Sequence, residues 1–146
     1  IDTASFFVDE LVDNVRSHAV VGRPGGIESL LAVRLDGQAE QILQVTVMDT
    51  GLGVATTLRD KLGAHAPDGD DQLLRDLLAG ELPGWGRGRG VGLAALVARC
   101  SNLGGAALSL RTAEWSATAG ATGIDVEKRA VVIHGTLVTA RLPLTH

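Results

Sequence analysis

Glycines alternate through Gly84-Trp-Gly-Arg-Gly-Arg-Gly-Val-Gly92, and the run leads directly into Leu93, Leu96, Val97, Cys100 and Leu103, spaced along one face of a helix. Each glycine gives up more backbone freedom on folding than any other residue would, so such a cluster is a specialised loop or a flexible linker. As a loop, it frees backbone amides to point at an anion, and the following helix N-terminus adds its dipole. Phosphate fits both features, and Arg87 and Arg89 add positive charge. The run is not a P-loop, because no Gly-Lys-[Ser/Thr] follows. It also lacks the third glycine of the Gly-x-Gly-x-x-Gly dinucleotide spacing.

The remaining composition sets bounds. The chain has 146 residues, 45% hydrophobic and 21% charged, as expected of one globular domain. Its formal net charge of −4 argues against a nucleic-acid binder that works by bulk electrostatics. The single cysteine, Cys100, excludes an internal disulfide and fits a reducing, cytoplasmic setting. No apolar run approaches the roughly 20 residues that span a bilayer, so no membrane segment is expected. No signal peptide is visible, and the opening Ile1-Asp2 without an initiator Met is what an excised domain would show.

Hydrophobic periodicity predicts a helix over 3–20, with a polar stripe of Glu10, Asp13, Asn14, Ser17 and His18, ended by Gly22-Arg-Pro-Gly-Gly26. Strands are predicted over 29–35 and 42–48, antiparallel to each other. Residues 54–83 break the pattern and read as a mobile insert, with one short helix from Asp71 to Leu78 between two loops. The helix after Gly92 is expected to stop at Gly104-Gly105. Strands follow over 106–112, 129–134 and 136–142, the last two joined by Gly135. The small residues 116–124 read as a flexible hairpin loop. The expected architecture is α+β: a two-layer sandwich with a mixed, mostly antiparallel sheet and helices on one face.

Two further elements carry chemistry. Glu10 and Asn14 are four apart and share a helix face. A carboxylate there can take a proton, and an amide oxygen can ligate Mg²⁺; an ordinary solvated helix face has the same look. In Val47-Met48-Asp49-Thr50-Gly51-Leu52-Gly53, an apolar strand delivers an Asp at its end, then two glycines one residue apart. An ionised Asp in a pocket accepts a hydrogen bond from an adenine amine, while the glycines permit close approach. A plain strand-ending turn uses the same residue types.

The order of these elements resembles the GHKL superfamily of ATP-binding domains, whose Bergerat fold is shared by histidine kinases, anti-sigma-factor serine kinases and gyrase-type topoisomerases. The resemblance runs over nearly the whole chain. Glu10-Leu-Val-Asp-Asn14 resembles the N box, Asp49-Thr-Gly51-Leu-Gly53 the adenine-binding box, and Gly86 to Leu93 the second glycine box at the end of an ATP lid. Gly135-Thr136 resembles the last glycine-threonine motif, whose hydroxyl lies near the adenine. The resemblance implies that Asn14 holds Mg²⁺, Asp49 binds the adenine amine, and Gly51 and Gly53 shape the adenine pocket. It places Gly86, Gly88, Gly90, Gly92 and Leu93 at the phosphates, makes Glu10 the general base, and makes residues 54–85 an ATP lid that orders on nucleotide binding.

Within the superfamily, Asn14-Val-Arg-Ser-His18-Ala and the ending Gly-Thr-Leu-Val-Thr-Ala-Arg-Leu-Pro-Leu resemble anti-sigma serine kinases and some histidine kinases. Residues 113–134 depart from the compact pattern by lengthening the link to Gly135. No phospho-acceptor helix is visible, so the acceptor is expected on another domain or a partner protein, with a homodimer as a further option. The implied activity is transfer of the γ-phosphate of ATP to a protein. The alternative is an ATP-hydrolysing conformational switch.

Overall fold

The computed structural model describes residues 3–14, 29–36, 41–82 and 91–144. In chain order these form helix α1 (Thr3–Asn14), strands β1 (Ser29–Asp36) and β2 (Gln41–Asp49), helices α2 (Val54–Leu62), α3 (Asp70–Ala79) and α4 (Val91–Asn102), and strands β3 (Ala107–Gly120) and β4 (Gly123–Leu144). The four strands form one sheet in the order β1-β2-β4-β3, and every pairing is antiparallel. The α+β class and the antiparallel character therefore match expectation, although no parallel pair occurs among the described strands.

Alternation along the strands sorts the side chains into two layers. Val45, Ala140 and Leu108 lie side by side, as do Val47, Val138 and Leu110, and all six are buried under the helices. Phe7 and Leu11 of α1 and Leu93, Leu96, Val97 and Cys100 of α4 fill the same core. The helical spacing read from the sequence thus marks the buried face of α4. Burial of Cys100 pushes its thiol up to about 11. The guanidinium of Arg99 sits 4.1 Å from the ring centre of Phe6, joining α4 to α1. On edge strand β1, Leu31, Val33 and Leu35 share the inner face yet remain exposed.

Three expectations change. The expected loop after Gly53 is helix α2, and α3 does not float in a mobile insert. Leu73, Leu74, Leu77 and Leu78 of α3 are buried, together with Leu58 and Leu62 of α2. Each such leucine contributes on the order of 2 kcal/mol, so the segment is part of the core. The periodicity was hidden because the two helices are short and separated by Gly63, Pro67 and Gly69. Arg59 binds the connection, donating to Asp70 at 2.6 Å and to the carbonyl of Pro67 at 2.8 Å. The Asp70 carboxylate and the Asp68 carbonyl are thus engaged in a clasp between α2 and α3. Gly80 ends α3 in the left-handed conformation, and Glu81 N–H bonds back to the Asp76 carbonyl at 2.8 Å.

The second change is the hairpin. Residues 116–120 are strand rather than loop, and only 121–122 turn. The third is that the two strands expected around Gly135 are one, β4. A straight 14-residue strand would span about 45 Å. Yet a Cβ on Gly120, at the end of β3, would lie 3.2 Å from the carbonyl oxygen of Ala106 just before its start. The hairpin therefore doubles back. The bend falls at Ala113, whose φ is +47°, where the β3–β4 register shifts. The returning arm lies against α3, where Arg75 donates to the Ile124 carbonyl at 2.9 Å. Small residues made 116–124 look like a loop, but Ala117 and Ala119 are small because they are fully buried there. The first helix is described only to Asn14, so the predicted extension to residue 20 lies outside the described residues.

Candidate functional site

The inner face of the sheet changes chemistry at one end. Beyond the apolar rows, the next inward positions are Asp49 on β2, Thr136 on β4 and Thr112 on β3, opposite one another in register. Asp49 is 7% exposed and Thr112 1%. A buried carboxylate and hydroxyls need partners, and here the backbone of the following turn supplies them.

Asp49 Oδ1 accepts the Gly51 N–H at 2.8 Å, and the carboxylate also accepts the backbone N–H of Thr136. Burial raises the Asp49 pKa above the usual carboxylate value, and these two N–H groups oppose the rise. A carboxylate offers about four lone-pair sites, so acceptor capacity remains for a ligand's N–H.

Gly53 follows with φ +85°, a conformation that favours glycine. A Cβ there would lie 2.7 Å from Thr112 Oγ1 and 3.2 Å from the Gly135 carbonyl oxygen. Val54 then opens α2, and its N–H donates to Thr136 Oγ1 at 2.9 Å. A threonine from a distant strand thus satisfies one of the helix's free N-terminal amides, a role that a capping side chain usually fills. Thr57 adds its own hydroxyl to the Gly53 carbonyl at 3.1 Å. Gly135, φ +83°, makes the close approach possible, since a Cβ on it would land on the Asp49 carbonyl oxygen.

The structure brings together Asp49, Gly51, Gly53 and Thr136, which are separated by up to 87 positions in the chain. Glu10 lies half-buried on α1, one turn before Asn14. Gly92 is the second residue of α4, and the Leu93 side chain is buried in the core. Gly86, Gly88 and Gly90 lie outside the described residues. Among the described residues, no group of three or more His, Cys, Asp or Glu side chains could hold a metal ion. No described helix is long and apolar enough to cross a membrane.

Two participants were missed in the sequence. Thr112 had a usable signal: it continues the inward alternation of Leu108 and Leu110 with a polar residue. The Val54 amide had none, because a backbone donor becomes visible only when the helix start is placed. Comparison with family models and with curated proteins finds no match.

Proposed function

We propose that the polar row is the base-recognition end of an ATP site, and that the chain is the ATP-binding domain of a protein kinase of the Bergerat type. The observation that supports this reading is the pairing of Asp49 with Thr136 across β2 and β4, directly beneath the Gly51–Gly53 turn. A buried acceptor with a hydroxyl beside it, floored by glycine backbone, suits a flat base carrying an exocyclic amine.

In this reading Asp49 accepts from the adenine amine and Thr136 lies beside it. Asn14 holds Mg²⁺, and the glycines of 84–92 with Leu93 meet the phosphates. Bound Mg-ATP supplies the transferable phosphoryl group. The protein's contribution is to hold the nucleotide and neutralise charge at the phosphates. Glu10 takes the proton from the attacking hydroxyl, and the acceptor is a His or Ser/Thr side chain of another domain or a partner.

Calorimetry with ATP, ADP and GTP, with and without Mg²⁺, tests the first part. The expected result is magnesium-assisted ATP binding that GTP does not reproduce. No affinity for any adenine nucleotide at millimolar levels in a folded sample would end the reading. Labelled ATP with candidate partners tests the second part: phosphate on protein supports the kinase, whereas free phosphate alone would make the chain an ATP-hydrolysing switch.

A further inference from the structure

We infer that Arg111 is a positioning residue for the polar row: from the far face of the sheet it fixes the bulge of β4 that delivers Thr136 to α2. The use of that row for a nucleotide rests on the reading above, whereas the placement of Thr136 does not. Between the Thr112–Thr136 and Trp115–Lys128 partners, β4 runs through seven residues, 129–135, while β3 runs through two, Ala113 and Glu114. The surplus makes a large bulge beside the bend at Ala113. Burial does little to hold it, since Val131 and Val132 are 68% and 58% exposed. Yet its last residue, Gly135, lies hard against the Asp49 carbonyl, and Thr136 meets the Val54 N–H at 2.9 Å. A slack bulge that leads into a close-fitted row needs an anchor.

Arg111 is that anchor. It precedes Thr112 and stands opposite Leu137, so it adjoins the row in register. Leu110 and Thr112 point inward, and Arg111 therefore leaves the sheet on the side away from the helices. There its Nη2 donates to the Val131 carbonyl at 3.0 Å, tying the middle of the bulge to β3. A guanidinium is planar and rigid, so the bond fixes a direction as well as a distance. The arrangement has a cost. The Arg111 Nε is buried with no hydrogen-bond partner among the described residues, and an unmade charged donor lowers stability. An apolar side chain of similar length would avoid that cost. Stability alone therefore does not account for a guanidinium here, whereas placement of the bulge does.

Residue-resolved amide hydrogen exchange on the full chain tests the inference, with thermal unfolding and ATP calorimetry on the same samples. Arg111→Met keeps the apolar stem and removes both the anchor and the unmade donor. Its melting temperature is expected within roughly 3 °C of wild type, while the Val54 amide exchanges roughly tenfold faster and those of Val45 and Val47 in β2 do not change. ATP affinity is expected to fall roughly fivefold. Arg111→Lys keeps a charged donor of similar reach and should restore both. A melting temperature lowered well beyond that range, or a methionine variant that does not fold, would make Arg111 a merely structural residue and overturn the inference. So would an unchanged Val54 amide, or a lysine variant no better than the methionine one. Absence of ATP binding in the wild type would end the nucleotide reading, and the Val54 amide would still decide the role of Arg111.

Discussion

Two neighbouring rows on the inner face of the sheet share a backbone geometry and differ in everything else. In one, Val47, Val138 and Leu110 meet the helices and are sealed by apolar side chains. In the next, Asp49, Thr136 and Thr112 meet the Gly51–Val54 turn and are sealed largely by backbone N–H groups. The difference shows how one sheet holds a core and a candidate site two residues apart. The apolar row is stabilised by burial. The polar row exchanges some of that stability for hydrogen-bonding groups in a fixed arrangement.

Four substitutions would break or sharpen this contrast. The largest effect is expected from Gly135→Ala, which adds a side chain at positive φ against the Asp49 carbonyl. It should cost about 3 kcal/mol or more in denaturant unfolding and lose ligand binding with it, since the two strands that carry the row must part. Leu110→Ala, in the apolar row, is expected to cost about 2–5 kcal/mol while the folded fraction keeps its nucleotide affinity. If affinity fell in proportion to stability, the rows would not be independent.

Thr136→Val removes the acceptor for the Val54 N–H and leaves a helix amide unpaired. A loss of about 1–2 kcal/mol is expected, together with weaker ATP binding measured by calorimetry. Wild-type stability in this variant would mean that the helix start finds another partner.

Asp49→Asn should separate the two properties altogether. Burial raises the Asp49 pKa, so the folded state prefers the protonated carboxyl. That preference favours folding below the ordinary value of 3.8 and is lost as pH rises through the folded value, leaving a buried charge at neutral pH. Asparagine keeps an oxygen for the Gly51 and Thr136 amides without the charge. A rise of roughly 3 °C in the melting temperature at pH 7 is therefore expected, vanishing on acidification, with ATP binding abolished. A destabilised variant would show that the carboxylate holds the turn by more than its hydrogen bonds.

Much of the site could be read from local chemistry. Asp49-Thr-Gly-Leu-Gly53 ends a strand as its residues require, and Gly135-Thr136 stands where the backbone needs glycine and a hydroxyl follows. The helix after Gly92 was equally plain, because Leu93, Leu96, Val97 and Cys100 repeat over about two turns. The segment 54–82 was misread because two short amphipathic helices interrupted by glycine and proline carry too few repeats to stand out. The folded hairpin was misread for the opposite reason: alanines and glycines usually mark loops, and only close packing against α3 reveals them as buried strand.

The sequence alone determined the first helix, the helix after Gly92, the antiparallel pairing of β1 with β2, and the residue types able to bind a base or a phosphate. These follow from periodicity and side-chain chemistry, which act over a few residues. Only the tertiary structure decided that Thr112 joins Asp49 and Thr136, that Val54 donates to a threonine 82 positions away, and that the hairpin turns back on itself. Those outcomes depend on strand register and on the bend at Ala113, which arise when distant segments pack.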